Sequence, residues 1–116
     1  MNNLRQGCKK MNKSLKTIVI KVGTSTLTHA SGMLNIRKIE ELCKTISDLQ
    51  NSGLKVILVS SGAVSAGKTK LRLHGISLST EQKQAAASIG QCELMDMYSR
   101  NMAMYSHTVG QILLTK

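Results

Sequence analysis

Apolar positions along the chain gather into a few short runs separated by polar and small-residue segments. The first run, TIVIKV at 17–22, is β-branched and nearly all apolar, the pattern of a strand buried on both faces by flanking helices, with Lys21 as the exception. After the loop GTSTLTHASGMLN, Asn35 offers an N-cap. Ile36, Ile39, Leu42, Cys43, Ile46 and Leu49 then recur at helical spacing until Gly53, which predicts one amphipathic helix. KVILVS, 55–60, reads as a second buried strand. Strand, helix, strand over this length calls for a right-handed crossover and a parallel pair.

Beyond Gly62 the run AVSAGKTKLRL is compatible with a short helix closed by Gly75. Ser79 to Gln82 reads as a capping box opening a longer helix, in which Ala85, Ala86, Ala87 and Gly90 allow close approach to a neighbour and the methionines fill core. VGQILLT, 109–115, supplies a third strand. The expected fold is α/β, a three-layer αβα sandwich with a mainly parallel sheet, truncated after its third main strand.

Composition narrows this to one small domain with an unusual core. The 116 residues contain no Pro, Phe or Trp and two Tyr, so the interior must be aliphatic and Met-filled. The formal net charge is +10, and half of it lies in Arg5, Lys9, Lys10, Lys13 and Lys16, with no acid among them. Residues 1–16 therefore read as a basic N-terminal extension, solvated and without the aromatic residues that would stack on bases; nucleic acid is not the expected partner. Met11 offers a compact alternative start, and a Lys-rich, acid-free leader is also compatible with a transit peptide. Cys8, Cys43 and Cys92 have neither the number nor the spacing of a disulfide framework or a zinc site, which fits a reducing compartment. With no signal peptide or membrane span visible, the expectation is a cytoplasmic protein.

Two stretches carry candidate phosphate chemistry. GAVSAGKT, 62–69, matches the phosphate-loop pattern G-x-x-x-x-G-K-[ST] letter for letter. Its x positions are helix-compatible, however, and no strand ends in the Asp that helps such sites hold magnesium, so Lys68 reads as a solvated lysine on a short helix. KVGTS is the better candidate. Lys21 stands near the end of a parallel strand, where such sheets bind ligands, and Gly23, Thr24 and Ser25 follow with a bare backbone, amides and two hydroxyls. Ser60, Ser61 and Gly62 repeat the arrangement at the second strand, and an ordinary N-cap reads equally well there.

IVIKVGTSTLT, VSSGAVSAG, KQAAASIGQ and VGQILLT, in that order from about Ile18 onward, resemble the amino-terminal half of the amino acid kinase family. The K-x-G-[ST]-S block marks the family in general; the other three point to its member acting on glutamate. The resemblance implies phosphoryl transfer from ATP, with Mg2+, to the γ-carboxylate of L-glutamate, giving an acyl phosphate on the route to proline. It implies that Lys21 lies against the transferring phosphoryl group, that Gly23 and Thr24 line the phosphate loop, and that Ser61, Gly62 and Ala63 hold glutamate; no residue is assigned to metal. On this reading residues 17–116 are the amino-terminal part of a kinase domain, a homo-oligomer at full length, and the 116 residues alone are an incomplete and inactive portion. Another amino acid kinase, a P-loop NTPase and a non-enzymatic basic binding module stay open as alternatives.

Overall fold

The computed structural model of the chain describes residues 16–73 and 75–112. Strand β1 (Thr17–Val22) and strand β2 (Lys55–Ser60) pair in parallel, with Thr17 opposite Lys55 and Val22 opposite Ser60. Between them run a single helical turn, α1 (Thr24–Leu27), and the long helix α2 (Ile36–Asn51). After β2 come α3 (Ala63–Lys70) and α4 (Thr80–Ala103). Of the basic N-terminal extension expected over 1–16, residues 1–15 lie outside the described residues.

Local signals set the helix ends. The Asn35 side chain accepts the Lys38 N–H at 3.3 Å, as its N-cap position requires. Ser79 and Gln82 complete a reciprocal capping box: Gln82 N–H donates to Ser79 Oγ at 3.2 Å, and Ser79 N–H to Gln82 Oε1 at 2.9 Å. The stop of α3 differs from expectation. Gly75 does not close it; Arg72, at φ 56°, takes the left-handed position, and the Arg72 and Leu73 amides donate back to the Thr69 and Lys68 carbonyls. That bond pair can form one turn earlier than the glycine because it satisfies the orphan carbonyls of the last turn, offsetting the steric cost at Arg72.

The sheet also differs from the pattern read along the chain. Ile20, Val22, Val56 and Leu58 pack against Ile39, Cys43 and Ile46 of α2 and Leu94, Tyr98 and Met102 of α4. The opposite face holds Val19, Ile57 and Val59, which are 61%, 51% and 41% exposed. A strand places alternate side chains on opposite faces whatever their polarity. An all-apolar run therefore signals that both faces suit burial; among the described residues helices cover one. The region expected to be a third strand shows no regular structure over residues 109–112, where Val109 touches the core, and its remainder lies outside the described residues. The observed architecture is thus α/β with a two-stranded parallel sheet.

Helix α4 touches two sets of neighbours with one stripe. Its buried positions, Ala86, Gly90, Leu94, Tyr98 and Met102, recur every four residues. Four residues turn about 40° more than a full circle, so the stripe winds around the helix. Its first part meets α3: a Cβ on Gly90 would overlap the Ala63 carbonyl oxygen, and one on Gly67 would overlap that of Ala86. Its later part meets α2 and the sheet. The close approach expected at Gly90 is present, and the glycine of the quoted motif at Gly67 is its counterpart.

Candidate functional site

The parallel pairing carries the ends of β1 and β2 to the same side of the molecule. Ser61 N–H donates to the Val22 carbonyl at 3.0 Å, so the two strand-to-helix turns are bonded neighbours. Gly62 is buried beneath them with φ 108° and ψ 6°, a left-handed conformation that disfavours a Cβ. This bend lets α3 start at once on Ala63, and Gly62 rests against Leu27 of α1, whose Cδ1 would lie 3.6 Å from an added Cβ. No side chain caps the amino terminus of α3, so its first amides face the turn without a side-chain acceptor.

Gly23 contrasts with Gly62. Its φ of −87° and ψ of 170° are open to any residue, and nothing lies within 4 Å of where its Cβ would be. Neither backbone geometry nor packing among the described residues calls for glycine there. Thr24 follows as the first residue of α1, exposed, its carbonyl taken by the Thr28 hydroxyl at 2.9 Å. Lys21 is exposed on the uncovered face of the sheet, opposite Val59, and within the described residues has no carboxylate in ion-pair range.

The GAVSAGKT match dissolves in three dimensions. A phosphate loop needs an arch of free amides before its helix; here residues 63–67 are already helical and Lys68 sits in the last turn of α3, about 7–8 Å along the axis from Ala63. Thr69, the residue such a loop would offer to magnesium, is occupied. Its Oγ1 donates to the Ser65 carbonyl at 2.8 Å and accepts the Leu34 N–H at 3.0 Å, tying α3 to the loop that precedes α2. Thr69→Val is expected to destabilise the chain by about 1–3 kcal/mol, because it leaves a part-buried amide unpaired; an unchanged denaturant midpoint would show that Thr69 is not this tie.

Sequence reasoning did not single out Tyr98. It is 4% exposed on α4, and its hydroxyl lies 2.8 Å from Ser60 Oγ at the end of β2. Burial pushes its phenol up, so it stays protonated at neutral pH. The signal was available: Tyr98 lies four and eight residues beyond Leu94 and Gly90, on the same winding stripe. Cys43, 0% exposed, has its thiol pushed up to about 11 by burial and belongs to the core.

Among the described residues no three His, Cys, Asp or Glu side chains come together in a way that could hold a metal ion. Nor is any helix among the described residues long and apolar enough to cross a membrane.

A family model described as the amino acid kinase family matches residues 16–116. Among curated proteins, the chain is 49% identical over 108 residues to the glutamate 5-kinase of Clostridium perfringens, covering 93% of this chain and 40% of that protein. It is 53% identical over 103 residues to the glutamate 5-kinase of Clostridium acetobutylicum, covering 89% and 39%. With the glutamate 5-kinase of Listeria innocua it shares 51% identity over 104 residues, covering 90% and 38%. The chain thus spans about two fifths of the length of these relatives.

Proposed function

The chain belongs to the amino acid kinase family, and from that premise we propose that it carries the phosphate- and acceptor-binding turns of a kinase that transfers the γ-phosphoryl group of ATP to the γ-carboxylate of L-glutamate. The identity to glutamate 5-kinases supports the choice of acceptor. Proline biosynthesis, a cytoplasmic setting, a homo-oligomer and the three-layer sandwich follow from the same reading. One observation carries the site assignment: Gly23 is a glycine that packing among the described residues does not need, following the end of a parallel strand, where a missing Cβ lets a phosphate reach the backbone.

The chemistry asks for little covalent help. The acceptor carboxylate, with an ordinary pKa of about 4.3, is ionised at neutral pH and needs no general base. The obstacle is its repulsion by the triphosphate, roughly 4 kcal/mol per unit-charge pair at 4 Å and an effective dielectric of 20. Lys21 offsets that charge on the transferring group, Gly23 and Thr24 accept the phosphates at the end of β1, and Ser61, Gly62 and Ala63 hold the glutamate at the end of β2. ATP supplies the phosphoryl group, and magnesium bound to its phosphates would offset their charge.

The reading is tested by joining residues 16–116 to the remaining length of the Clostridium acetobutylicum relative and assaying acyl phosphate as the hydroxamate. ATP-dependent product with L-glutamate is expected; no product, with the parent relative active, would sink the assignment. In that chimera Gly23→Ala should raise the ATP requirement about tenfold or more while moving stability by less than about 0.5 kcal/mol. A stability loss with unchanged ATP use would make Gly23 a folding residue. Ser61→Ala should weaken glutamate by about 1 kcal/mol, more than ATP; a selective ATP defect would put this turn on the other ligand.

A further inference from the structure

The Ser60 hydroxyl has two neighbours and one hydrogen. Its Oγ donates to the Ser61 carbonyl at 3.0 Å and lies 2.8 Å from the Tyr98 hydroxyl. A serine hydroxyl donates once, so with that hydrogen on Ser61 the remaining bond is accepted from Tyr98. The order is therefore Tyr98 to Ser60 to the Ser61 carbonyl, running from a buried helix face to the turn. In a trans peptide the carbonyl and the next N–H point in opposite directions. Holding the Ser61 oxygen toward Ser60 directs the Gly62 N–H away from it.

We infer that Tyr98, acting through Ser60, is a positioning residue that fixes the Ser61–Gly62 peptide and so aims the turn's amide at the acceptor carboxylate. The acceptor part rests on the function proposed above; the geometry of the turn does not. Three features fit the role. Tyr98 is held by the core with Leu94 and Met102, so its hydroxyl is a fixed point. Gly62 has no side chain to fix its own peptide plane, and its left-handed backbone leaves the preceding carbonyl as the handle. The Ser61 amide is already pinned to Val22, so the Ser60 bond supplies the second anchor on the same residue.

The test uses the 116-residue chain labelled with nitrogen-15, comparing wild type, Tyr98→Phe, Ser60→Ala, Ser60→Thr and the Tyr98→Phe/Ser60→Ala double variant. Amide exchange at Ser61 is read against Leu94, inside α4, and L-glutamate is titrated as the probe into the chimera carrying the same changes. Tyr98→Phe keeps the packing and removes the donor, so Ser61 exchange should quicken about tenfold relative to Leu94 and L-glutamate should bind about tenfold more weakly. Ser60→Ala should do the same, the double variant should be no worse than either single one, and Ser60→Thr should restore wild-type behaviour. Ser61 exchange that stays unchanged, or rises only in step with Leu94, would overturn the inference and make Tyr98 a packing residue. A turn that loosens as expected, with a parent chimera that does not respond to L-glutamate, would uphold the positioning and sink the acceptor assignment instead.

Discussion

Lys21→Ala in the chimera is expected to lower hydroxamate formation by about 10²–10³-fold, with Lys68→Ala within a few-fold of the parent. Both lysines lie in a stretch with candidate phosphate chemistry, but the fold gives them different tasks. Lys21 is the next-to-last residue of β1, one before Val22, whose carbonyl Ser61 bonds to, on a surface with no ion-pair partner among the described residues. Removing a cation from a site where two anions must approach restores repulsion of roughly 4 kcal/mol at an effective dielectric of 20, which is close to three powers of ten in rate. Lys68 lies in the last turn of α3, at the end of the helix remote from the Gly62 bend. If Lys68→Ala were the crippling change, the phosphate-loop reading of GAVSAGKT would return and the turn at Gly23 would lose its role.

Gly90→Ala is expected to be the most damaging single-methyl change in the chain. The added Cβ would overlap the Ala63 carbonyl oxygen and press on the Gly67 amide, both of them backbone atoms of α3 that no rotamer change can move. The crossing must open as a whole, at a cost of about 3 kcal/mol or more. For a domain of this size that is a fall of about 10–20 °C in melting temperature, and a large share of its total stability. Gly67→Ala, which meets the Ala86 backbone, should behave alike. Thermal unfolding followed by circular dichroism decides it: a midpoint within a degree or two of wild type would mean that α3 and α4 do not cross at these glycines. Because Ala63 begins α3 directly after the Ser61–Gly62 turn, the same change should also disturb glutamate binding in the chimera.

Local chemistry was readable without coordinates wherever a few neighbouring residues decide the outcome. Asn35 and the Ser79–Gln82 pair form their caps because the partners are three residues away and no distant contact competes. The parallel pair of β1 and β2 followed from two apolar runs separated by a helix. The resemblance to amino acid kinases was likewise carried by short ordered blocks, and the match over residues 16–116 agrees with it. Placement of the site turns at adjacent strand ends required only that parallel strands share a direction.

What the chain alone left open depended on contacts far apart in sequence. GAVSAGKT satisfies a phosphate-loop pattern, and only the packing of Gly67 against Ala86 and of Thr69 against Leu34 gives its glycine and hydroxyl their other uses. Apolar runs showed that the strands suit burial on both faces; which face receives helices was settled by where α2 and α4 cross the sheet. Arg72, not Gly75, ends α3, since a pair of backbone bonds can outweigh a steric preference of about 1–2 kcal/mol. Tyr98 meets Ser60 across 38 residues, through a stripe whose every-four spacing winds about 40° per step and so reaches α3 first and the sheet afterwards. Sequence determined the two paired strands, the long helices with their amino-terminal caps and the chemical character of the two turns, because those rest on neighbours along the chain; the tertiary structure decided that Gly67 and Gly90 are filled by packing while Gly23 stays open, because that is set by what arrives from elsewhere.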